Sequence, residues 1–133
     1  MDIKRKYGPN AELVWKDRRR RWGLPLSFTR YRLVKDKDNK WCKLFSEVGW
    51  LYMNFDEINL YRVKDVALDQ TLGDKIFNTG TITLVSNDST LPVFKLRHIA
   101  EPYKVRTMLA AMIEEQRQLH GVKVTEFQGV YGE

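Results

Sequence analysis

Residues 101–119 read EPYKVRTMLAAMIEEQRQL, and this stretch decides the fold class. Val105, Met108, Leu109, Met112 and Ile113 fall at i, i+3, i+4, i+7 and i+8, which is one apolar stripe of an amphipathic helix. Pro102 sits in the first turn, where its missing N–H is an orphan in any case. Glu114, Glu115, Gln116 and Arg117 lie around the polar side, and Gly121 supplies a stop. A methionine-bearing stripe at this spacing is expected to be core.

Working back from that helix, Phe28 to Leu96 is a run of short strand patterns. In Phe28–Val34, Tyr31 and Leu33 share one face while Arg30 and Arg32 share the other. Lys35-Asp36-Lys37-Asp38-Asn39 is a polar turn, Trp41–Val48 a second strand, and Gly49 the turn into a third. That third strand, about Leu51–Tyr61, changes phase. Leu51, Met53 and Phe55 are odd, Ile58 and Leu60 even, so a bulge is expected near Asp56-Glu57. Val66 and Leu68 mark a fourth strand, Leu72–Phe77 a helical turn, Thr81–Val85 a fifth strand and Val93–Leu96 a sixth. Glu12-Leu13-Val14-Trp15 forms a short lead-in strand. A sheet run closed by one C-terminal helix predicts a small barrel or sandwich with the helix across an open end.

Length and composition fit one soluble domain with a core of its own. Residues 1–11 are expected to be a flexible basic tail, 12–120 the domain, and 121–133 an extension in which Val122–Phe127 is either a short strand or a loose tail. Cys42 is the single cysteine, which excludes an intrachain disulfide and reads as a small core residue. There is no apolar run of membrane-spanning length, and the first residues carry charge without an apolar segment. The cytoplasm is the expected location.

Charge is unevenly spread. Residues 1–40 hold thirteen basic and five acidic side chains, net +8, so residues 41–133 sum to −2. Such asymmetry points to an anionic partner. The candidate surface is Arg18, Arg19, Arg20, Arg21 and Trp22, extended by Arg30, Arg32, Lys35, Lys37 and Lys40. Arginines beside a tryptophan suit an anionic bilayer surface; a solvated strand or loop with outward arginines is the plainer alternative. No nucleic-acid motif accompanies the run, which argues against a nucleic-acid partner. Trp41, Trp50, Tyr52, Tyr61 and Tyr103 are expected as core or rim packing. His98 and His120 lack metal-ligand spacing, and Asp56, Glu57 and Asp65 are expected at turns. No nucleophile or metal cluster supports catalysis, so neither an enzyme nor a metal or cofactor site is expected.

Three groups of segments resemble the bacterial pleckstrin-homology-like (PH-like) domains of the membrane-flanking family. They are Leu13-Val14-Trp15 with Leu26-Ser27-Phe28-Thr29-Arg30-Tyr31-Arg32-Leu33, then Asp56-Glu57-Ile58-Asn59-Leu60-Tyr61-Arg62-Val63-Lys64-Asp65-Val66, then Gly80-Thr81-Ile82-Thr83-Leu84 followed by Ile99 and Pro102. The resemblance spans about Glu12 to Gln118. It implies about seven strands in two roughly orthogonal antiparallel sheets, a PH-like barrel capped by the helix. It also implies a non-enzymatic module. Two features depart from the family. Asn78-Thr79-Gly80 keeps only the second glycine of a Gly-x-Gly, although asparagine tolerates the left-handed turn. Many relatives flank transmembrane helices, and this chain has none. The inositol-phosphate pattern of other PH domains is also broken: Lys35, Lys37, Lys40 and Lys43 are interrupted by Asp36 and Asp38, and no basic-x-Arg pair follows. The expected function is binding of a protein or peptide segment through an open sheet edge or a groove beside the helix. The alternative is peripheral binding to an anionic membrane through the basic N-terminal side, and self-association is a further possibility.

Overall fold

A computed structural model describes residues 3–24, 27–49 and 54–121. Helix α1 (Ile3–Tyr7) precedes strands β1 (Ala11–Arg18), β2 (Thr29–Asp36), β3 (Cys42–Val48) and β4 (Asn54–Asn59). A 3₁₀ turn (Leu60–Arg62) leads to β5 (Val63–Asp69), helix α2 (Leu72–Phe77), β6 (Thr79–Ser86), β7 (Val93–Ala100) and helix α3 (Pro102–Leu119). The strands form two antiparallel sheets, one of four strands ordered β1-β2-β3-β4 and one of three ordered β5-β6-β7.

Register sets the core. Leu33, Leu44 and Ile58 are paired across β2, β3 and β4, and Ile82 pairs with Leu96 and Leu84 with Phe94 in the second sheet. All seven are buried, and Val105, Leu109 and Ile113 of α3 join the same cluster. The stripe read from residues 101–119 is therefore core, with Met108 and Met112 packed at its margin. Cys42 is buried there too. Gly121 adopts φ +69°, and its N–H donates to Gln118 O at 3.1 Å, ending the helix as expected.

The sheets do not close into a barrel, which corrects that part of the sequence expectation. The outward amides of β7 that a closing ladder would use are capped by side chains instead. Arg97 N donates to Tyr31 Oη at 3.0 Å and Ala100 N to Asp17 Oδ2 at 2.8 Å. Between them Arg20 N donates to His98 O at 2.9 Å, a single backbone bond where β1 leaves its sheet.

Three further expectations change. Residues Ile3–Tyr7, read as tail, form α1 against the outer face of the first sheet. There Tyr7 stands 4.5 Å from Phe45 (ring centroids) beside Ala11 and Val34. No bulge interrupts β4, whose pairing with β3 runs unbroken from Lys43↔Asn59 to Val48↔Asn54. The phase change arises because both faces are apolar. Ile58 points to the core, while Phe55 faces outward against Phe45 at 5.4 Å. The register shifts instead at Leu13/Trp15, Val63/Asp65 and Gly80/Ile82. Asp56, Glu57 and Asp65 lie within strands, Glu57 paired with Lys43 at 3.1 Å. The strand expected over Val122–Phe127 lies outside the described residues, as do Trp50, Tyr52, Leu51 and Met53.

Gly80 sits where β6 passes under the start of α3. A Cβ there would stand 2.9 Å from Pro102 Cβ and 3.1 Å from Leu68 Cδ1. Overpacking of this kind costs about 1–3 kcal/mol. Gly80→Ala is expected to lower the thermal midpoint by several degrees and Gly80→Val by more, measured by circular dichroism; an unchanged midpoint would show that α3 shifts freely.

Candidate functional site

After Arg18 the chain leaves β1 and turns. Arg21 N donates to Leu24 O at 2.9 Å, Leu24 N to Arg21 O at 3.0 Å, and Trp22 (φ 54°) and Gly23 (φ 80°) are both left-handed. Two consecutive positive φ values make a tight hairpin turn that favours asparagine and glycine at its centre. Trp22 holds one of those places and is 69% exposed. Arg20 fastens the turn from inside: Nε and Nη2 reach Asp17 Oδ1 at 3.2 and 3.1 Å, and Nη1 donates to Gly23 O at 3.1 Å.

Facing this turn is α2. Thr71 and Asp74 form a reciprocal capping box, and Asn78 ends the helix left-handed (φ 54°), so the expected turn survives without a first glycine. The tip of the turn rests on α2, since a Cβ added to Gly23 would lie 3.3 Å from Phe77. Asp74 also accepts from Thr79 Oγ1 and His98 Nδ1, each at 2.8 Å. Burial pushes the Asp74 carboxyl up, but the hydrogen bonds from Thr71, His98 and Thr79 outweigh it and hold the carboxyl near 2. His98 is itself left-handed (φ 50°) within β7.

Between the turn and α2 lies an open cavity of about 560 Å³. Arg19, Arg20, Arg21 and Trp22 line one side, and Thr71, Asp74, Phe77, Thr79 and His98 the other. Among the described residues no carboxylate pairs with the guanidinium of Arg18, Arg19 or Arg21. Leu72 and Ile76, 77% and 72% exposed, stand on the same short helix.

The ten residues singled out from the sequence separate into three places. Arg19–Trp22 belong to the turn and cavity, while Arg18 ends β1 opposite Arg30 and lines a separate cleft with Arg30 and Arg32. Arg30 and Arg32 point to Glu47, which is only 2% exposed: Arg32 Nη1 lies 3.0 Å from Oε2, Arg30 Nε 3.9 Å from Oε1, and Lys6 from α1 also bonds Oε2. These cations serve a buried carboxylate. Burial, then the charges of Arg32 and Arg30, lower the Lys6 ammonium. Lys35, Lys37 and Lys40 flank the β2–β3 turn at the other end of the sheet. Lys35 is five positions from Arg30, about 17 Å along a strand.

Asp17, Asp74, Phe77, Thr79 and His98 were not foreseen as site residues. Thr71-x-x-Asp74 carried a legible capping signal; the union of His98 with Asp74 spans 24 positions and carried none. His120 stacks on Tyr61 at 4.3 Å. Burial pushes the Cys42 thiol up to about 12, far from a reactive thiolate. Among the described residues no helix is long and apolar enough to cross a membrane. The chain matches no family model, no curated protein and no solved structure in comparisons with each.

Because the folded-state carboxyl of Asp74 sits below its ordinary value of 3.8, its stabilising effect is complete above that value and is lost as pH falls toward 2. The urea midpoint of the native protein is expected to drop between pH 4 and pH 2. In Asp74→Asn it should be lower at pH 7 and fall less steeply over that window. Parallel pH curves would exclude this role for Asp74.

Proposed function

We propose that this chain is a non-enzymatic, PH-like interaction module that binds a protein segment in the cavity between the Arg21–Leu24 turn and α2. The PH-like reading is supported by the order of a four-stranded sheet, a three-stranded sheet and a closing C-terminal helix. It is supported further by how β7 runs. Tyr31, Ser46 and Asp56 are register partners on three neighbouring strands, a line across the first sheet. Arg97 bonds Tyr31, and Val93, Lys95 and Arg97 share a small cleft with Ser46 and Asp56. That is the arrangement expected of sheets crossing at a wide angle.

One observation carries the functional part. Two strained residues, Trp22 and His98, line one cavity together with Arg19 and Arg21, which have no acidic partner among the described residues. Left-handed backbone at non-glycine residues costs about 1–3 kcal/mol each and gathers at binding sites. Cationic groups beside exposed aromatic surface fit a segment that alternates carboxylates with apolar side chains.

A second reading has its own support. Trp22, Leu24, Leu72 and Ile76 are all exposed around the arginines, which suits shallow insertion into an anionic bilayer. Random peptides displayed and selected on the protein are expected to enrich acidic–apolar sequences. Arg19→Glu with Arg21→Glu should weaken the selected peptides by about tenfold or more with the thermal midpoint unchanged. Binders indifferent to both arginines would refute the cavity. Sedimentation with anionic but not neutral vesicles, lost at high salt and in the same double variant, would instead establish the membrane reading.

A further inference from the structure

The outward edge of β7 is left open next to a cleft, and we infer that it is a second docking site, one that takes an extended acidic segment as an added antiparallel strand. Ser86 N donates to Pro92 O at 2.9 Å, and Leu84↔Phe94 and Ile82↔Leu96 continue that pairing. In an antiparallel ladder the main-chain groups of successive residues point alternately to either side. Pro92, Phe94 and Leu96 therefore turn theirs toward β6, and Val93, Lys95 and Arg97 turn theirs away. The bond from Arg97 N to Tyr31 Oη agrees with this alternation.

Beyond Arg97 the edge is used up by Tyr31, Arg20 and Asp17. Before it, the N–H and C=O of Val93 and Lys95 have no partner among the described residues. These four groups are what one added strand requires at two hydrogen-bonded positions. A cleft of about 210 Å³ runs beside them, walled by Ser46 and Asp56 of the first sheet.

The charges select the occupant. Lys95 and Arg97 stand on the outer face of β7 against the single acid Asp56 in the cleft, a net positive lining. Pairing β7 with a second copy of itself would bring another Lys95 and Arg97 onto the same face, and like charges set opposite one another destabilise a sheet pair. An incoming strand with a carboxylate opposite Lys95 and a small neutral side chain toward Ser46 and Asp56 has neither fault. This site does not depend on the cavity at Trp22.

The test uses the blocked peptide acetyl-Thr-Glu-Thr-Val-Thr-amide, whose antiparallel register sets Glu opposite Lys95 and Val opposite Val93. Titration into the full chain, followed by amide NMR, is expected to shift the Val93 and Lys95 amides most and to slow their hydrogen exchange. Methylating the peptide nitrogens of Glu and Val should abolish both effects. Lys95→Glu is expected to weaken binding about fivefold, the scale of one cross-strand ion pair, and a Glu-to-Lys peptide should restore it. Arg19→Glu with Arg21→Glu should change nothing, so failure here is separable from failure of the cavity. No shift at millimolar peptide, shifts centred elsewhere, or equal binding of the methylated peptide would each overturn the proposal.

Discussion

The carboxylate of Asp17 joins the beginning of the fold to its end. One oxygen takes the Arg18 amide at 2.8 Å and the Arg20 guanidinium, and the other takes the amide of Ala100, 83 positions away. Its side chain is nearly buried, so these charge-assisted bonds form where water competes little; each such bond contributes about 1.5–3 kcal/mol. Ala100 is two residues before α3 begins. The anchor that holds β1 to β7 therefore also fixes where α3 starts across the core. It fixes the cavity as well, because Arg20 ties the Trp22 turn to Asp17 and its amide holds His98 O. Loss of this one carboxylate would loosen the sheet junction, the helix entry and the cavity wall together.

Strain collects around that junction. Among the described residues five non-glycines have positive φ: Trp22, Asn78, His98 and Glu101 all border it, and Asn39 lies elsewhere, in the β2–β3 turn. Asparagine accepts this conformation readily; tryptophan, histidine and glutamate do so at a cost. The surrounding bonds show what compensates. His98 N donates to Thr81 Oγ1 at 3.2 Å and Glu101 N to Asn78 O at 3.3 Å, while His98 Nδ1 holds Asp74. A backbone held this firmly in an unfavourable region presents the Trp22 ring and the His98 face in one orientation, which suits a binding surface better than a mobile loop.

Local periodicity made much of the fold legible. The α3 stripe, the alternation of Tyr31 and Leu33 and the Leu72–Phe77 turn are each carried by fewer than twenty consecutive residues, and each appears where expected. What failed depended on partners distant in sequence. The phase change before Ile58 resembles a bulge until Phe45 and Tyr7 give Phe55 an apolar neighbour on the outer face. Barrel closure looked natural from the strand count, yet Tyr31 and Asp17 side chains occupy the amides it would need. Arg18–Trp22 was legible as a surface, but not the division of labour within it, because nothing local marks Arg20 as the one that turns inward.

That division changes the meaning of the basic N-terminal half. A net +8 over forty residues suggests one continuous positive field. The fold breaks it up. Glu47 gathers Lys6, Arg30 and Arg32 around a single buried carboxylate, and Asp17 takes Arg20. The lysines at 37 and 40 lie beyond the far end of β2, an eight-residue strand about 26 Å long. At physiological salt, exposed charges are screened within about 8 Å, so the potential in the cavity is set by Arg19 and Arg21, with almost nothing from those lysines. On the proposed reading, binding there would rest on a few guanidinium contacts combined with the apolar surface of Trp22 and Phe77. Such a balance would favour shape and sequence over bulk negative charge.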